Sequence, residues 1–280
     1  VLGGVTALPH LVNVAAFGLP IHVIAGLGGW LTLTAMGVSY RLLAMFMLAP
    51  ERDRGTTRGV LYAGTLALGL IILGGAAAIC LGGGLVGILA AGGLLGLVAL
   101  MLYGHDILHL YRARKRRTIE LNSRIAAIAL ASLAATVLLA GILLILGTLE
   151  DAVAAPVFLL AFGWLSGLGL GKLYKIVAFL TWLECYGPIL GKTATPRVQD
   201  LVVEPRAVKW FALYFLAVWG ATAALLFDRP AIFQGLCLVM MIATGGIIVQ
   251  LVRIRTLADV QASLRCLAGV RQPRLLLSRT

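Results

Sequence analysis

Charged residues are scarce in this chain of 280 residues, at 12% of the sequence, whereas soluble domains carry about 25%. Acidic residues are the scarcest of them, with 11 Asp and Glu against 23 Lys and Arg. Apolar residues make up 61%, and the mean hydropathy is +1.01. The shortage of charge excludes an ordinary soluble domain, and the high hydropathy excludes disorder. The net charge of +12 therefore indicates a membrane orientation signal, and we expect no nucleic acid partner.

Long apolar runs divide the chain into eight predicted transmembrane helices, because a helix needs about 20 apolar residues to cross the bilayer core. The runs lie near 3–19, 21–48, 60–80, 84–109, 125–148, 154–182, 208–227 and 231–252. The first run is short, contains Pro9 and begins without an initiator Met. The predicted fold class is an all-α, multi-pass integral membrane protein.

Basic residues concentrate on one side of this arrangement. They lie between spans two and three, after spans four and six, and beyond span eight. The opposite loops hold Glu150, Asp151 and Asp228, with Arg229 as their single basic residue. The positive-inside rule then places both termini in the cytoplasm. Anionic lipids of the cytoplasmic leaflet are the expected partners of the basic segments.

Two stretches of the sequence repeat each other. Residues 29–46 are GWLTLTAMGVSYRLLAMF, and residues 163–180 are GWLSGLGLGKLYKIVAFL. They align without a gap, and a second similar pair follows in the same order, LYRAR at 110–114 and LVRIR at 251–255. We interpret the chain as two parallel four-helix units, 1–118 and 119–256, related by an axis along the membrane normal. Apolar residues at helical spacing predict an amphipathic cytoplasmic tail over 257–280.

Glycines form a stripe in span six, where Gly163, Gly167 and Gly171 recur every four residues. Small residues let helices approach closely in lipid. Such a stripe could instead accept a flat ring, such as a porphyrin or a quinone head. Spans two and six carry the repeated motif, so they are the candidates for the centre of the molecule.

Ionisable residues within apolar spans need an explanation, because each costs about 2.5–3.5 kcal/mol at mid-depth. Arg41 and Lys175 occupy the same position of the repeat, beside Tyr40 and Tyr174, and these four residues are candidates for binding a cofactor. Snorkelling to the headgroups explains Arg41. Lys172 lies one turn from Lys175 on the same helix face, and the two lysines could bind an anionic headgroup or a heme propionate.

The four histidines decide whether metal or heme chemistry is available. His105 and His109 are four residues apart, so they could hold a metal or form a solvated pair at the interface. His22 begins span two and His10 lies in span one; each could be an axial heme ligand or a hydrogen-bonded histidine. Acids within the spans are nearly absent, with Asp106 at an inner end, which counts against a cation-coupled carrier.

The stretches GWLTLTAMGVSYRLLAMFMLAPE at 29–51 and GKLYKIVAFLTWLECYGP at 171–188 resemble bacterial membrane proteins related to heme-copper oxidase subunit I. The resemblance implies helices in arcs of four and a place in the bacterial inner membrane. His22 is the only histidine that matches the family motif. Ala44 and Ala178 stand where the family has proline. Four histidines are too few for two hemes and copper, so the resemblance implies a relative without the oxygen-reducing centre.

These observations predict a non-catalytic subunit or accessory protein of a bacterial redox or respiratory membrane assembly, with other membrane subunits as partners. It would bind one heme, a quinone or a lipid between spans two and six. Two alternatives remain open. The parallel repeat could form a small-solute carrier, for which Lys172 and Lys175 favour an anion. The chain could also be a purely structural scaffold, for which the glycine packing suffices.

Overall fold

The structure is a computed structural model that describes residues 18–50, 55–81 and 83–265. This part of the chain is helical and contains no strand. Seven of its helices are long and apolar enough to cross a membrane: α1 (Gly18–Met47), α2 (Gly55–Leu81), α3 (Leu85–Arg112), α4 (Leu121–Ile145), α5 (Leu149–Ile189), α6 (Glu204–Leu226) and α7 (Pro230–Arg255). They confirm the all-α prediction and match predicted spans two to eight. The first predicted span, with His10, lies outside the described residues.

The chain divides into two compact units, Val1–Ile119 and Glu120–Thr280. In unit 1, α2 packs along α3, and α1 packs against both. In unit 2, α6 packs along α7, while α5 packs against α4, α6 and α7. Each unit therefore has its own helix–helix core.

Large apolar side chains point away from these cores. Leu73, Val86 and Ile145 are 73%, 82% and 85% exposed, and many other Leu, Ile and Val side chains of the helices are exposed as well. An outward apolar surface on this scale exceeds what soluble monomers carry, and it suits contact with lipid or with other membrane helices. The exposure pattern therefore agrees with the helix lengths in indicating a multi-pass membrane protein.

The two repeated stretches each begin within a π-helix, a helix with wider turns than the α-helix. In α1 the π-helix is Ile24–Leu31, and in α5 it is Leu159–Ser166. In the ungapped alignment of the two stretches these segments coincide to within one residue. The same Gly-Trp-Leu sequence therefore lies at the end of a wide turn in both units.

A side-chain hydrogen bond accompanies each wide turn. Thr32 Oγ1 donates to the carbonyl of Leu27 at 2.7 Å, and Ser166 Oγ donates to the carbonyl of Ala161 at 2.9 Å. Both bonds reach back five residues, which is the hydrogen-bond spacing of a π-helix. Thr32 and Ser166 are aligned positions of the repeat, so the two stretches share this local structure as well as sequence.

The glycine stripe of α5 makes close contacts with α4 and α6, as the packing interpretation predicts. A Cβ at Gly171 would lie 2.5 Å from Cγ2 of Ile125, and one at Gly163 would lie 2.8 Å from Cβ of Ser132. A Cβ at Gly167 would lie against the ring of Phe215. Protein side chains fill the space beside the stripe, which favours close helix packing over a flat ring on these glycines.

At one end of unit 1, backbone hydrogen bonds connect the helix ends. After α1, Leu48 takes a left-handed conformation, with φ of 51°, and the Ala49 N–H donates to the carbonyl of Ala44 at 3.0 Å. The Arg116 N–H, from the loop after α3, donates to the carbonyl of Met47. The start of α2 joins this region through hydrogen bonds of Thr56 and Thr57 to Asp106 of α3. We call the region formed by the end of α1, the start of α2 and the end of α3 the basic end of unit 1.

The described part of the tail differs from the predicted amphipathic helix. Residues 256–260 form turns, followed by the four-residue helix Ala262–Arg265. Leu257 and Val260 are buried to 2% and 5% exposure against a cluster that includes Tyr186 and Leu201. The apolar stripe of residues 257–265 is therefore covered by unit 2 itself, because the loop after α5 offers an apolar surface that the sequence does not reveal.

Candidate functional site

A buried carboxylate joins three helices at the basic end of unit 1. Asp106, in the last part of α3, is 3% exposed. Its Oδ2 accepts hydrogen bonds from Tyr40 Oη at 2.9 Å and from Thr57 Oγ1 at 3.3 Å, and its Oδ1 accepts one from Thr56 Oγ1 at 2.7 Å. Tyr40 belongs to α1 and the two threonines to the first turn of α2. The hydroxyl donors stabilise a charge that would otherwise be costly to bury.

Aromatic and hydroxyl contacts hold Tyr40 in place. Its ring packs edge-on against Tyr103 of α3, with ring centroids 5.4 Å apart. Tyr103, which is 1% exposed, hydrogen-bonds through its hydroxyl to Ser39 Oγ at 2.6 Å. Sequence reasoning placed Asp106 at a helix end and did not identify it as a site residue. The sequence feature that could have indicated this site is the Thr-Thr pair at the start of α2, because two adjacent hydroxyls there can donate hydrogen bonds to a buried carboxylate.

A cavity of about 490 Å³ lies beside Asp106, and we call it the Arg cavity. Its polar lining consists of Tyr40, Arg41, Thr57, Arg58, Asp106 and His109. Its apolar lining consists mainly of Leu33, Met36, Ala44, Val60, Leu61 and Leu110. Residues from α1, α2 and α3 all contribute, so the cavity depends on the packing of unit 1 and not on one motif.

The structure brings three of the residues predicted from sequence together in the Arg cavity: Tyr40, Arg41 and His109. His105 is 67% exposed, and its Nδ1 lies 3.7 Å from Asp106 Oδ1. Within residues 18–50, 55–81 and 83–265, no three His, Cys, Asp or Glu side chains are grouped as metal ligands. The predicted metal pair thus lacks a third protein ligand within the described residues.

His22 lies in a different place from Tyr40 and Arg41. It is exposed and lines a second cavity of about 580 Å³ between the first half of α1 and α2, together with Trp30 and Cys80. Eighteen residues separate His22 from Tyr40, which corresponds to about 27 Å along a helix. The two predicted cofactor-binding groups of α1 therefore cannot contact the same small ligand.

Lys175 forms an ion pair within unit 2. Its Nζ lies 2.9 Å from Glu120 Oε2, and the two side chains are 12% and 7% exposed. Gln199 Nε2 donates to Glu120 Oε1 at 2.7 Å. Lys172, one turn away in α5, is buried at 5% exposure. Glu120 was missed from sequence because it precedes α4 and is 55 positions away from Lys175 along the chain.

Tyr174 differs from its repeat counterpart Tyr40 in its contacts. It is 3% exposed, and its ring packs edge-on against Phe211 of α6, with centroids 5.8 Å apart. Tyr40, by contrast, donates to a carboxylate. The repeated motif is therefore used for aromatic packing in unit 2 and for a polar network in unit 1.

One ion-pair group fastens the tail to α6 and α7, and a second ion pair joins the end of α7 to α5. Asp259 accepts hydrogen bonds from Arg253 Nη2 at 2.6 Å and from Arg206 Nη1 at 3.1 Å. Arg255 Nη2 pairs with Glu184 Oε2 at 2.5 Å. The hydrogen bonds from Arg253, and then those from Arg206, lower the pKa of Asp259 below its ordinary value. We call the set of Arg206, Arg253 and Asp259 the tail clasp.

Comparison of the chain with protein-family models, with curated proteins and with solved structures finds no match. A function for this protein has to be argued from its helices, cavities and polar networks.

Proposed function

We propose that this chain is a non-catalytic, heme-copper-oxidase-like membrane protein that acts as a subunit or accessory of a bacterial redox or respiratory assembly in the inner membrane. The observation that carries the proposal is the repeated local structure of α1 and α5. Both helices place Gly-Trp-Leu at the end of a π-helix and follow it with the same hydroxyl-to-carbonyl hydrogen bond. The sequence resemblance rests on these two stretches, so their shared geometry supports it.

The distribution of polar contacts supports a structural or binding role over catalysis. Most polar groups of the repeated motifs stabilise the units: Tyr40 binds Asp106, Lys175 binds Glu120, and Tyr174 packs on an aromatic ring. Apolar side chains on the outer faces provide surface for lipid or for neighbouring subunits. A protein of this kind would assemble with a redox partner and position it in the membrane.

A heme is the cofactor that the resemblance implies, and the second cavity is where it would fit. His22 can supply one axial imidazole, and the remaining lining is mainly apolar, with Ala25, Leu68 and Ile72 among its members. The described residues of this lining include no Lys or Arg for the propionates. The residues present therefore fit the ring and one ligand, and the propionates would extend beyond this cavity. When bound, such a group would supply electron transfer.

The heme part is tested by a reduced-minus-oxidised absorption spectrum of the purified full chain. We expect an alpha band that is lost in His22→Ala and kept in the control His105→Ala, whose histidine lies elsewhere and is exposed. If no alpha band appears and iron stays below about one atom per ten chains, no heme is held by the imidazole. That result would contradict the heme part of the proposal. The assembly part would still be decided by its own experiment.

The assembly is tested by crosslinking in native membranes followed by purification of the full chain. We expect a membrane partner that carries heme, flavin or an iron–sulfur cluster, present in constant proportion to this chain. Recovery of the chain alone, in every detergent that preserves known respiratory complexes of the same membranes, would contradict the proposal. In that case the structural scaffold would be the better interpretation.

The anion carrier remains an alternative with less support. It needs Lys172 and Lys175 as the binding charges, but the charge of Lys175 is balanced by Glu120 at 2.9 Å. Liposome uptake of small anions that disappears in Lys175→Ala would favour the carrier over the assembly proposal.

A further inference from the structure

The Arg cavity carries an inference that is independent of any redox assembly. It depends only on the helices of unit 1 lying in a membrane. The cavity occurs at the basic end, where loops rich in Arg and Lys follow the apolar helices. This is the depth at which a lipid changes from headgroup to hydrocarbon.

The lining changes from polar to apolar along α2, and along α1 from Arg41 back to Leu33. In α1, Leu33 and Met36 lie two turns and one turn before Tyr40 and Arg41, away from the basic end. In α2, Thr57 and Arg58 come first and are followed by apolar residues further into the helix. An amphiphile with its headgroup at the basic end and its chain directed towards Leu33 would match this order.

The charges of the lining favour an anion. Arg41 and Arg58 are both exposed, and among the described residues of the lining Asp106 is the one acid. That carboxylate already accepts three hydroxyl hydrogen bonds. A guanidinium has five N–H donors, so it can keep a contact within the protein and still bind a phosphate or carboxylate.

Gly37 leaves room for the chain of such a ligand. It lines the cavity, and no atom lies within 4 Å of the place that its Cβ would take. Gly64 of α2 is packed differently, because Leu33 fills the space beside it. A Cβ added at position 37 would therefore meet no neighbour, and a longer side chain there would begin at the cavity lining.

We propose that the Arg cavity binds an anionic amphiphile, with a phosphate headgroup held between Arg41 and Arg58 and its hydrocarbon chain against Leu33 and Met36. The phosphate can belong to a membrane phospholipid or to a soluble phosphate ester. Tyr40 and Asp106 fix the position of the helices that bear the two arginines. This assigns a specific ligand to a region that would otherwise attract acidic lipids only by its net charge.

Native mass spectrometry of the full chain in neutral detergent tests the binding. The probes are phosphatidylglycerol and phosphatidylcholine with the same acyl chains. We expect phosphatidylglycerol to bind at least about tenfold more tightly, because charge-assisted hydrogen bonds to a guanidinium are strong. Arg41→Gln combined with Arg58→Gln should abolish this preference. The control, Lys115→Gln with Arg117→Gln, removes the same charge from exposed positions outside the cavity and should retain the preference.

A second pair of variants tests the cavity by volume and leaves its charge unchanged. Gly37→Leu should weaken phosphatidylglycerol binding about tenfold by filling the cavity. Gly28→Leu is the control, since Gly28 lies on the same helix with open space beside it and lines neither cavity. Equal losses in both charge-changing pairs, or an unaffected Gly37→Leu, would overturn the proposal and indicate attraction by net charge alone.

Competition with glycerol phosphate distinguishes the two sources of the ligand. If glycerol phosphate displaces the bound lipid, the headgroup is the recognised part and a soluble ester is a sufficient ligand. If only lipid displaces lipid, the acyl chain is required and the ligand is a membrane phospholipid. Both outcomes support the shared phosphate chemistry. If the wild-type chain shows no preference for phosphatidylglycerol, the proposal that the Arg cavity binds an anionic amphiphile is overturned.

Discussion

The hydroxyl groups around Asp106 should hold the three helices of unit 1 together, and removing one of them tests this directly. Tyr40→Phe keeps the ring, with its edge-on contact to Tyr103, and deletes only the hydrogen bond of 2.9 Å to Asp106. Asp106→Asn keeps the shape but replaces one acceptor oxygen by a donor that faces hydroxyl donors. We expect both variants to unfold more easily than the wild type, and Asp106→Asn to be affected more.

The magnitudes follow from the kinds of bond involved. Interhelical hydrogen bonds in membrane proteins contribute on average about 0.6 kcal/mol, whereas bonds to a charged group contribute about 1.5–3 kcal/mol. Because the acceptor here is a carboxylate buried to 3% exposure, Tyr40→Phe should lower the free energy of unfolding by about 1.5 kcal/mol. Asp106→Asn disturbs up to three bonds that share one acceptor, so a non-additive loss of about 3 kcal/mol is expected.

Reversible unfolding in mixed micelles, with increasing anionic detergent, measures these differences. Tyr62→Phe is the matched control, because that tyrosine lies on α2 and is 64% exposed. Its loss should stay within about 0.5 kcal/mol. If Tyr40→Phe is no less stable than Tyr62→Phe, or if Asp106→Asn keeps wild-type stability, the network does not hold unit 1 together.

Three further outcomes are expected, each measured by unfolding or by protection of the tail from hydrogen exchange. Gly171→Ala should destabilise unit 2 by about 1–3 kcal/mol through overpacking, whereas Gly169→Ala, with open space beside it, should be neutral or slightly stabilising; equal effects would contradict the close packing. Lys175→Met should cost about 3 kcal/mol because it removes the cation beside the buried carboxylate of Glu120, and Glu120→Gln in the same chain should recover part of that loss; simple addition of the two losses would refute the pairing. Because its arginine partners lower the pKa of Asp259, the tail should stay protected above the ordinary carboxyl pKa of about 4 and lose protection as the pH falls through the lowered value. Asp259→Asn should remove this pH dependence, and an unchanged acid profile in that variant would show that another group is responsible.

Hydropathy predicted the helices well because a membrane span is a local property of the sequence. Each of the seven long helices contains a stretch that is apolar enough to cross a membrane. The contacts of Gly163, Gly167 and Gly171 were predictable for a similar reason, since their spacing places them on one face. Features of this kind can be predicted without knowing which segments are neighbours in the folded protein.

The polar networks could not be predicted, since they depend on distant partners. Asp106 binds residues 50 and 66 positions away along the chain, and Glu120 pairs with a lysine on another helix. Taken singly, these residues resemble solvated groups at helix ends. The described part of the tail shows the same limit, because its apolar stripe at 257, 260 and 264 fits a lipid surface as well as the protein surface that covers it.

The wide turns of α1 and α5 also bear on the order in which the two halves acquired their differences. A π-helix accommodates more residues per hydrogen-bonded turn than an α-helix, so it records a change of length within a helix. Both halves carry it at the same aligned place, closed by Thr32 in one and Ser166 in the other. If the halves descend from one ancestral gene segment, the lengthened turn is older than the duplication. The carboxylate network of Tyr40 and the aromatic contact of Tyr174 are then later specialisations of copies that began alike.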